Sequence, residues 1–159
     1  QMCIRDRSQV LIQQNSENKQ IYEENTEKYI KDLEKVEKQY EEISQELNGQ
    51  KAICLNEALE YLAKDIKLEY ISLHTDHDEN SMSAESIKNI INKMNTENIK
   101  IILIGKDDSI KNAEILANET NAKIYKLDTV LTGATDKSAY IDAANRNLEV
   151  LKSVLGDEK

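Results

Sequence analysis

Proline is absent from the 159 residues, glycine occurs four times and cysteine twice. Neither G-x-G-x-x-G nor G-x-x-x-x-G-K-[ST] is present. The usual dinucleotide and P-loop sites, which need glycine-opened backbone around phosphate, are therefore unsupported. Cys3 and Cys54 have no metal or redox spacing, and Cys54, inside an apolar strand pattern, reads as a buried free thiol. No serine sits in the glycine frame of a nucleophile elbow. The two histidines, His74 and His77, share one polar loop, so no nucleophilic triad is visible. No apolar run reaches the roughly eighteen residues of a membrane span, and no apolar signal-peptide core lies near the start. Basic side chains are the minority, 21 against 30 acidic, giving a net charge of −9. Such a balance argues against nucleic acid, whose phosphates need a basic face, and is compatible with cations or basic partners.

What is present is 39% apolar and 32% charged, the composition of a soluble globular chain with a helix-rich surface. The length fits one domain with an appendage. The clearest element is SENKQIYEENTEKYIKDLEKVEKQYEEISQELNG. Ser16 is the expected N-cap and Asn48-Gly49 the stop. Between them Tyr22, Thr26, Tyr29, Leu33, Val36, Tyr40, Ile43 and Leu47 recur at alternating spacings of four and three. That predicts a single helix of about thirty residues, about 45 Å long. The heptad raises a coiled-coil reading, whereas Ile21 and Ile30 widen the stripe toward packing on a globular body.

Beyond Gly49 the period shortens. KAICL, LEYISL, IKIILI and AKIYKL read as strands. NEALEYLAKDI, SAESIKNIINKMNTEN, SIKNAEILANETN and AYIDAANRNLEVLKSVL read as helices. Ser83 and Asp108 are the expected caps of the second and third of these helices, and Met82 with Ile87 fits a hydrophobic staple. The third strand is apolar without alternation, as in a parallel sheet covered on both faces. Residues 51–155 are therefore expected to form an α/β lobe: a four-stranded parallel sheet with helices on both faces, led by the long helix. In such sheets ligands bind beyond the carboxyl ends of the strands. That directs attention to Asn56-Glu57, His74 to Asn80, Gly105 to Ser109 and Asp128 to Asp136.

Each of these loops has two readings. His74 and His77, with the carboxylates between and after them, could ligate zinc or another transition metal, or form a solvated acidic turn. Asp128 ends the fourth strand, where a ligand-facing carboxylate or a turn-forming Asp would sit. Asn56 reads first as an N-cap, and Glu57 suits the helix dipole behind it. A phosphoacceptor receiver would need an acidic pair after the first strand and an Asp directly after the third, and neither is found.

Taken in order, three segments resemble the C-terminal half of the cluster A-I solute-binding proteins, which serve ABC importers of zinc and manganese. NSENKQIYEENTEKYIKDLEKV is similar to that family's linker. Asn18, Tyr22, Asn25 and Tyr29 keep its pattern, and Asn15-Ser16 stands where Asp-Pro is usual. KAICLNEALEYLAKDIKLEY resembles the family's H-[DE]-A-F-x-Y-(L/F)-A segment. YKLDTVLTG followed by SAYIDAANRNLEVLKSVL resembles its closing D-x-L and N-L-x-x-L motifs. The resemblance covers about residues 10–155.

It implies two α/β lobes joined by one long helix, with a divalent metal, Zn²⁺ or Mn²⁺, held between them as the transported ligand and no organic cofactor. It further implies a permease partner, a place outside the cytoplasmic membrane, in the periplasm or lipid-anchored, and no catalysis. Asp128 matches the ligand after the last strand. Asn56 falls where the family has His or Glu, and a neutral amide is a poor zinc ligand. His74 and His77 lie outside the usual set but at the same end of the sheet, so one of them is expected to compensate. The expected organisation is residues 1–7 (QMCIRDR) as non-native, adapter-like sequence, 8–49 as interdomain helix and 50–159 as the C-terminal metal-binding lobe. The N-terminal lobe and the signal or lipid anchor are expected to be lost upstream. The competing reading is an α/β domain dimerising through its heptad helix. An enzyme built on His74 and His77 would need a third ligand and an activated water that the sequence does not show.

Overall fold

The computed structural model describes residues 2–73 and 83–156. The chain divides into two compact units, residues 1–39 and 40–159, with one helix running through the boundary. In the first unit, α1 (Met2–Gln14) and a 3₁₀ turn (Ser16–Asn18) precede α2 (Lys19–Leu47). Ser8 Oγ donates to the Tyr22 carbonyl at 3.5 Å, and Arg5 pairs with Glu27 at 3.5 Å. The expected long helix is present as α2, 29 residues, but its expected cap at Ser16 is corrected. Ser16 belongs to the 3₁₀ turn, Asn15 ahead of it makes no side-chain cap bond, and a separate helix stands before both. The α2 stripe is real but uneven. Val36, Ile43 and Leu47 are buried and Tyr22, Thr26 and Tyr29 half-buried. Of the two flanking isoleucines, Ile30 is buried whereas Ile21 is exposed.

The second unit opens with the end of α2. Gly49 follows it at φ 80°, the left-handed conformation that a glycine at a helix stop adopts without steric cost. Next come β1 (Lys51–Cys54), α3 (Ala58–Asp65), β2 (Glu69–Ser72), α4 (Ala84–Thr96), β3 (Ile101–Gly105), α5 (Lys111–Thr120), β4 (Lys123–Leu127) and α6 (Ala139–Gly156). The four strands form one parallel sheet in the order β2-β1-β3-β4, with Ile53 opposite both Ile71 and Ile102, and Gly105 opposite Leu127. Helices lie on both faces, as the unbroken apolar run of β3 requires. All five β3 residues are buried. Ile53, Ile102 and Ile104 pack with Met94 of α4 and with Ala113 and Leu116 of α5. Ser83 caps α4 as expected, accepting from the Ser86 amide at 3.0 Å. Its staple partner Met82, like His74 and His77, lies outside the described residues. No helix among the described residues is long and apolar enough to cross a membrane.

The strand order matters for function. The chain leaves β1 to one side for β2 and returns on the other side as β3. The carboxyl ends of β1 and β3 therefore flank the switch point where open α/β sheets form crevices.

Candidate functional site

Asp128 follows β4 directly, and its side chain is 4% exposed. Burial of a carboxylate is costly unless it is paired and hydrogen-bonded, and here it is both. Oδ2 accepts from Lys106 Nζ at 2.7 Å and from an Arg146 guanidinium nitrogen at 3.2 Å. Oδ1 accepts the Val130 amide at 2.9 Å. Burial pushes the Asp128 carboxyl up. The bonds from Lys106, Val130 and Arg146 outweigh it and hold the group below the usual carboxylate range. Val130 delivers its amide from φ 59°, a left-handed conformation that costs a β-branched residue on the order of 1–3 kcal/mol.

The backbone of Asp128 is fixed as firmly as its side chain. Its N–H donates to Asn147 Oδ1 at 2.7 Å, and Asn147 Nδ2 donates back to its carbonyl at 2.8 Å. Asn147 is 3% exposed on the inner face of α6. Nearby, the Tyr40 hydroxyl donates to the Ala144 carbonyl at 3.0 Å. Its phenol is pushed up to about 12 by burial and by Tyr140, against a lowering bond from Asn147.

At the end of β1, Asn56 caps the turn into α3, as expected: Oδ1 accepts the Ala58 amide at 2.9 Å. Its other arm donates to Asp108 Oδ2 at 2.8 Å. Asp108 does not cap α5, which corrects the sequence expectation. Ile110 precedes that helix, and the Asp108 carboxylate folds back onto the end of β3, where Oδ2 accepts the Gly105 amide at 2.8 Å. The turn admits this because Gly105 has no side chain. A Cβ there would lie 2.7 Å from Asp108 Oδ2.

Asn56, Asp108, Gly105, Lys106 and Asp128 thus form a polar chain across the ends of β1, β3 and β4. The Lys106 amide donating to the Leu127 carbonyl at 2.8 Å joins its last two strands.

A cleft of about 260 Å³ opens beside Asp128, lined by Val130, Leu131, Tyr140 and Arg146 among others. Its other carboxylates, Asp136 and Asp142, serve the start of α6. Asp136 accepts from the Ser138 amide and hydroxyl at 2.8 and 2.9 Å, and Asp142 accepts from the same hydroxyl at 2.7 Å. The hydroxyl and amide of Ser138 hold the Asp136 carboxyl below its usual range. Cys54 is buried, as its apolar setting suggested, and burial raises its thiol. Among the described residues no three His, Cys, Asp or Glu side chains converge as a metal cluster.

The site therefore offers one anchored carboxylate and an amide-bearing turn at the same sheet edge. Sequence reasoning missed Lys106, Arg146 and Asn147, which hold that carboxylate. For Asn147 a signal existed: it falls on the inward stripe of α6 with Ala143, Ala144, Leu148 and Leu151, and an amide in such a stripe needs a buried partner.

A family model described as zinc-uptake complex component A, periplasmic (ZnuA), matches residues 4–154. The high-affinity zinc uptake system protein ZnuA of Bacillus subtilis is 29% identical over 150 residues, 91% of this chain and 47% of that protein. The chain thus spans about half the length of this curated relative. The crystal structure of the metal-dependent lipoprotein YcdH from Bacillus subtilis superposes with a TM-score of 0.75 at 27% identity, covering 92% of this chain and 56% of the other. The solute-binding protein FpvC of P. aeruginosa, solved with Ni²⁺, gives a TM-score of 0.74 at 18% identity over 96% of this chain and 57% of its own, a likeness of fold.

Proposed function

The chain belongs to the family of periplasmic zinc-uptake complex component A proteins, and we propose that it is the C-terminal lobe of a metal-capturing solute-binding protein. The family is one of solute-binding proteins for metal uptake, not of enzymes. On this reading the whole protein takes a divalent ion, zinc or manganese, outside the cytoplasmic membrane and hands it to an ABC permease. The observation that carries it is the family match over nearly the whole chain, together with a similar Bacillus subtilis protein named for zinc uptake.

Asp128 is the oxygen ligand this lobe contributes. It has the charge, the position after the last strand and a fixed backbone, the qualities a ligand preorganised on a rigid element needs. Asn56 stands at the second ligand position. Its amide is committed to Ala58 and Asp108, so it adds little to a zinc site, and His74 or His77 supplies the missing donor. An imidazole there favours zinc, whereas an all-oxygen set favours manganese.

Calorimetric titration with zinc and with manganese tests the reading. The 159-residue chain is expected to bind weakly and through Asp128. Submicromolar zinc binding that survives Asp128→Ala would overturn it. In the full-length protein, His74→Ala with His77→Ala is expected to weaken zinc binding, and unchanged affinity would remove the histidines from the site.

Dimerisation through residues 22–47 is the competing reading. It is disfavoured because Val36, Ile43 and Leu47 of the stripe are already buried within the chain. Light scattering at the monomer mass is the expected result.

A further inference from the structure

We infer that Lys106 is an internal competitor for the captured metal: its ammonium occupies the Asp128 oxygen that an incoming cation needs, and it must leave as the metal arrives. The inference rests on the reading of Asp128 as a ligand and adds what governs access to it.

Both oxygens of Asp128 are engaged. Oδ2 holds Lys106 at 2.7 Å and Arg146 at 3.2 Å, and Oδ1 holds the Val130 amide at 2.9 Å. A cation approaching Oδ2 therefore meets two positive charges and no vacant face on that oxygen. For Oδ2 to take the ion, one of these two partners has to give way, and the geometry points to which. The Asp128 backbone is held in place, because Asn147 fastens its N–H and its carbonyl at 2.7 and 2.8 Å, and the Val130 amide holds Oδ1 at 2.9 Å. Lys106 can move. Its side chain is 39% exposed, and its ammonium ends a flexible four-carbon stem that water solvates readily. Only the root of that stem is fixed, by the Lys106 amide on the Leu127 carbonyl. Arg146 makes the longer contact from a side chain 62% exposed and follows once the charge it shares is taken.

Two consequences follow. Without metal, the buried carboxylate stays neutralised and the lobe is not left with an unpaired internal charge. With metal, only an ion that binds Asp128 more strongly than an ammonium does can displace it, so Lys106 sets a threshold against weakly held monovalent cations.

Lys106→Met tests this, since it keeps the apolar stem and removes the charge. Zinc is titrated into the 159-residue chain against a chromogenic chelator, and the zinc-induced rise in Tm is recorded alongside. Lys106→Met is expected to bind zinc about tenfold more tightly than the parent, the scale of one charged hydrogen bond lost from the competing state. It should also show a lower Tm without zinc and a larger zinc-induced rise. Lys106→Arg should return both readings toward the parent, whereas a purely structural lysine would lower Tm and affinity together. Unchanged or weaker zinc binding in Lys106→Met, or none in either chain, overturns the inference.

Asp128→Asn separates the two levels. If it abolishes the zinc response while Lys106→Met has no effect, Asp128 is a ligand and Lys106 is not its competitor. If it changes nothing in either background, the ligand assignment fails and the inference with it.

Discussion

Asn147 carries more of this site than its neutral side chain suggests. It satisfies both backbone groups of a buried aspartate, and neither group has water to fall back on. Asn147→Ala is expected to cost about 2–4 kcal/mol, because two buried polar groups lose their partner. Urea unfolding of the variant measures it. Tyr40 gives a second residue-level expectation, at alkaline pH. Its phenol is raised from 10.0 to about 12, so the folded state favours the protonated form. That stabilisation is complete below the unfolded value of 10.0 and is lost as pH rises through about 12. The stability gap between the parent and Tyr40→Phe should therefore be constant up to pH 9 and shrink by pH 11, read from urea midpoints at each pH. At this scale the sequence was partly legible. Asp128 and the capping role of Asn56 could be read from their positions after strands. Lys106 and Arg146 could not, because their partner lies on another element and no local pattern marks a long-range ion pair.

At the scale of elements, β3 is the most strongly determined segment. Ile101, Ile102, Leu103 and Ile104 are buried on both sides between neighbouring strands and two layers of helix. Ile102→Ala is expected to destabilise the chain by about 2–5 kcal/mol through the cavity it leaves, measurable by denaturant unfolding. Helix α4 shows the same agreement between local signal and fold, since Ser83 caps it through the Ser86 amide. Two local signals lost to tertiary context. Asp108 has the chemistry of a cap, yet its carboxylate is drawn to the Gly105 amide and to Asn56. Ser16 also has cap chemistry, but its segment tightens into a 3₁₀ turn. A capping side chain chooses among nearby amides, and sequence alone does not show which amides are near.

For the molecule as a whole, the division near residue 40 makes its own prediction. The sheet, its helices and the Asp128 network lie in residues 40–159, with Ile43 and Leu47 of α2 in that core. A polypeptide of residues 40–159 should therefore unfold cooperatively, with parallel loss of circular dichroism and of dispersed amide resonances. Loss of that cooperativity would show that residues 1–39 are needed to complete the core. The parallel architecture was legible at this scale because each strand alternates with an amphipathic helix, which leaves few ways to cover both sheet faces.

The sequence by itself determined the alternation of strands and helices, the parallel sheet, the helix stop at Gly49 and the place of Asp128 at the end of the last strand. These follow from periodicity, glycine conformation and the buried-strand pattern, all of which act over a few residues. Only the tertiary structure decided the strand order β2-β1-β3-β4 and the partners of Asp128. Lys106 and Arg146 reach one carboxylate from the turn after β3 and from α6 because sheet register and helix packing bring those ends together. Charge pairing of that kind is a property of distance in space, which the order of residues along the chain does not encode locally.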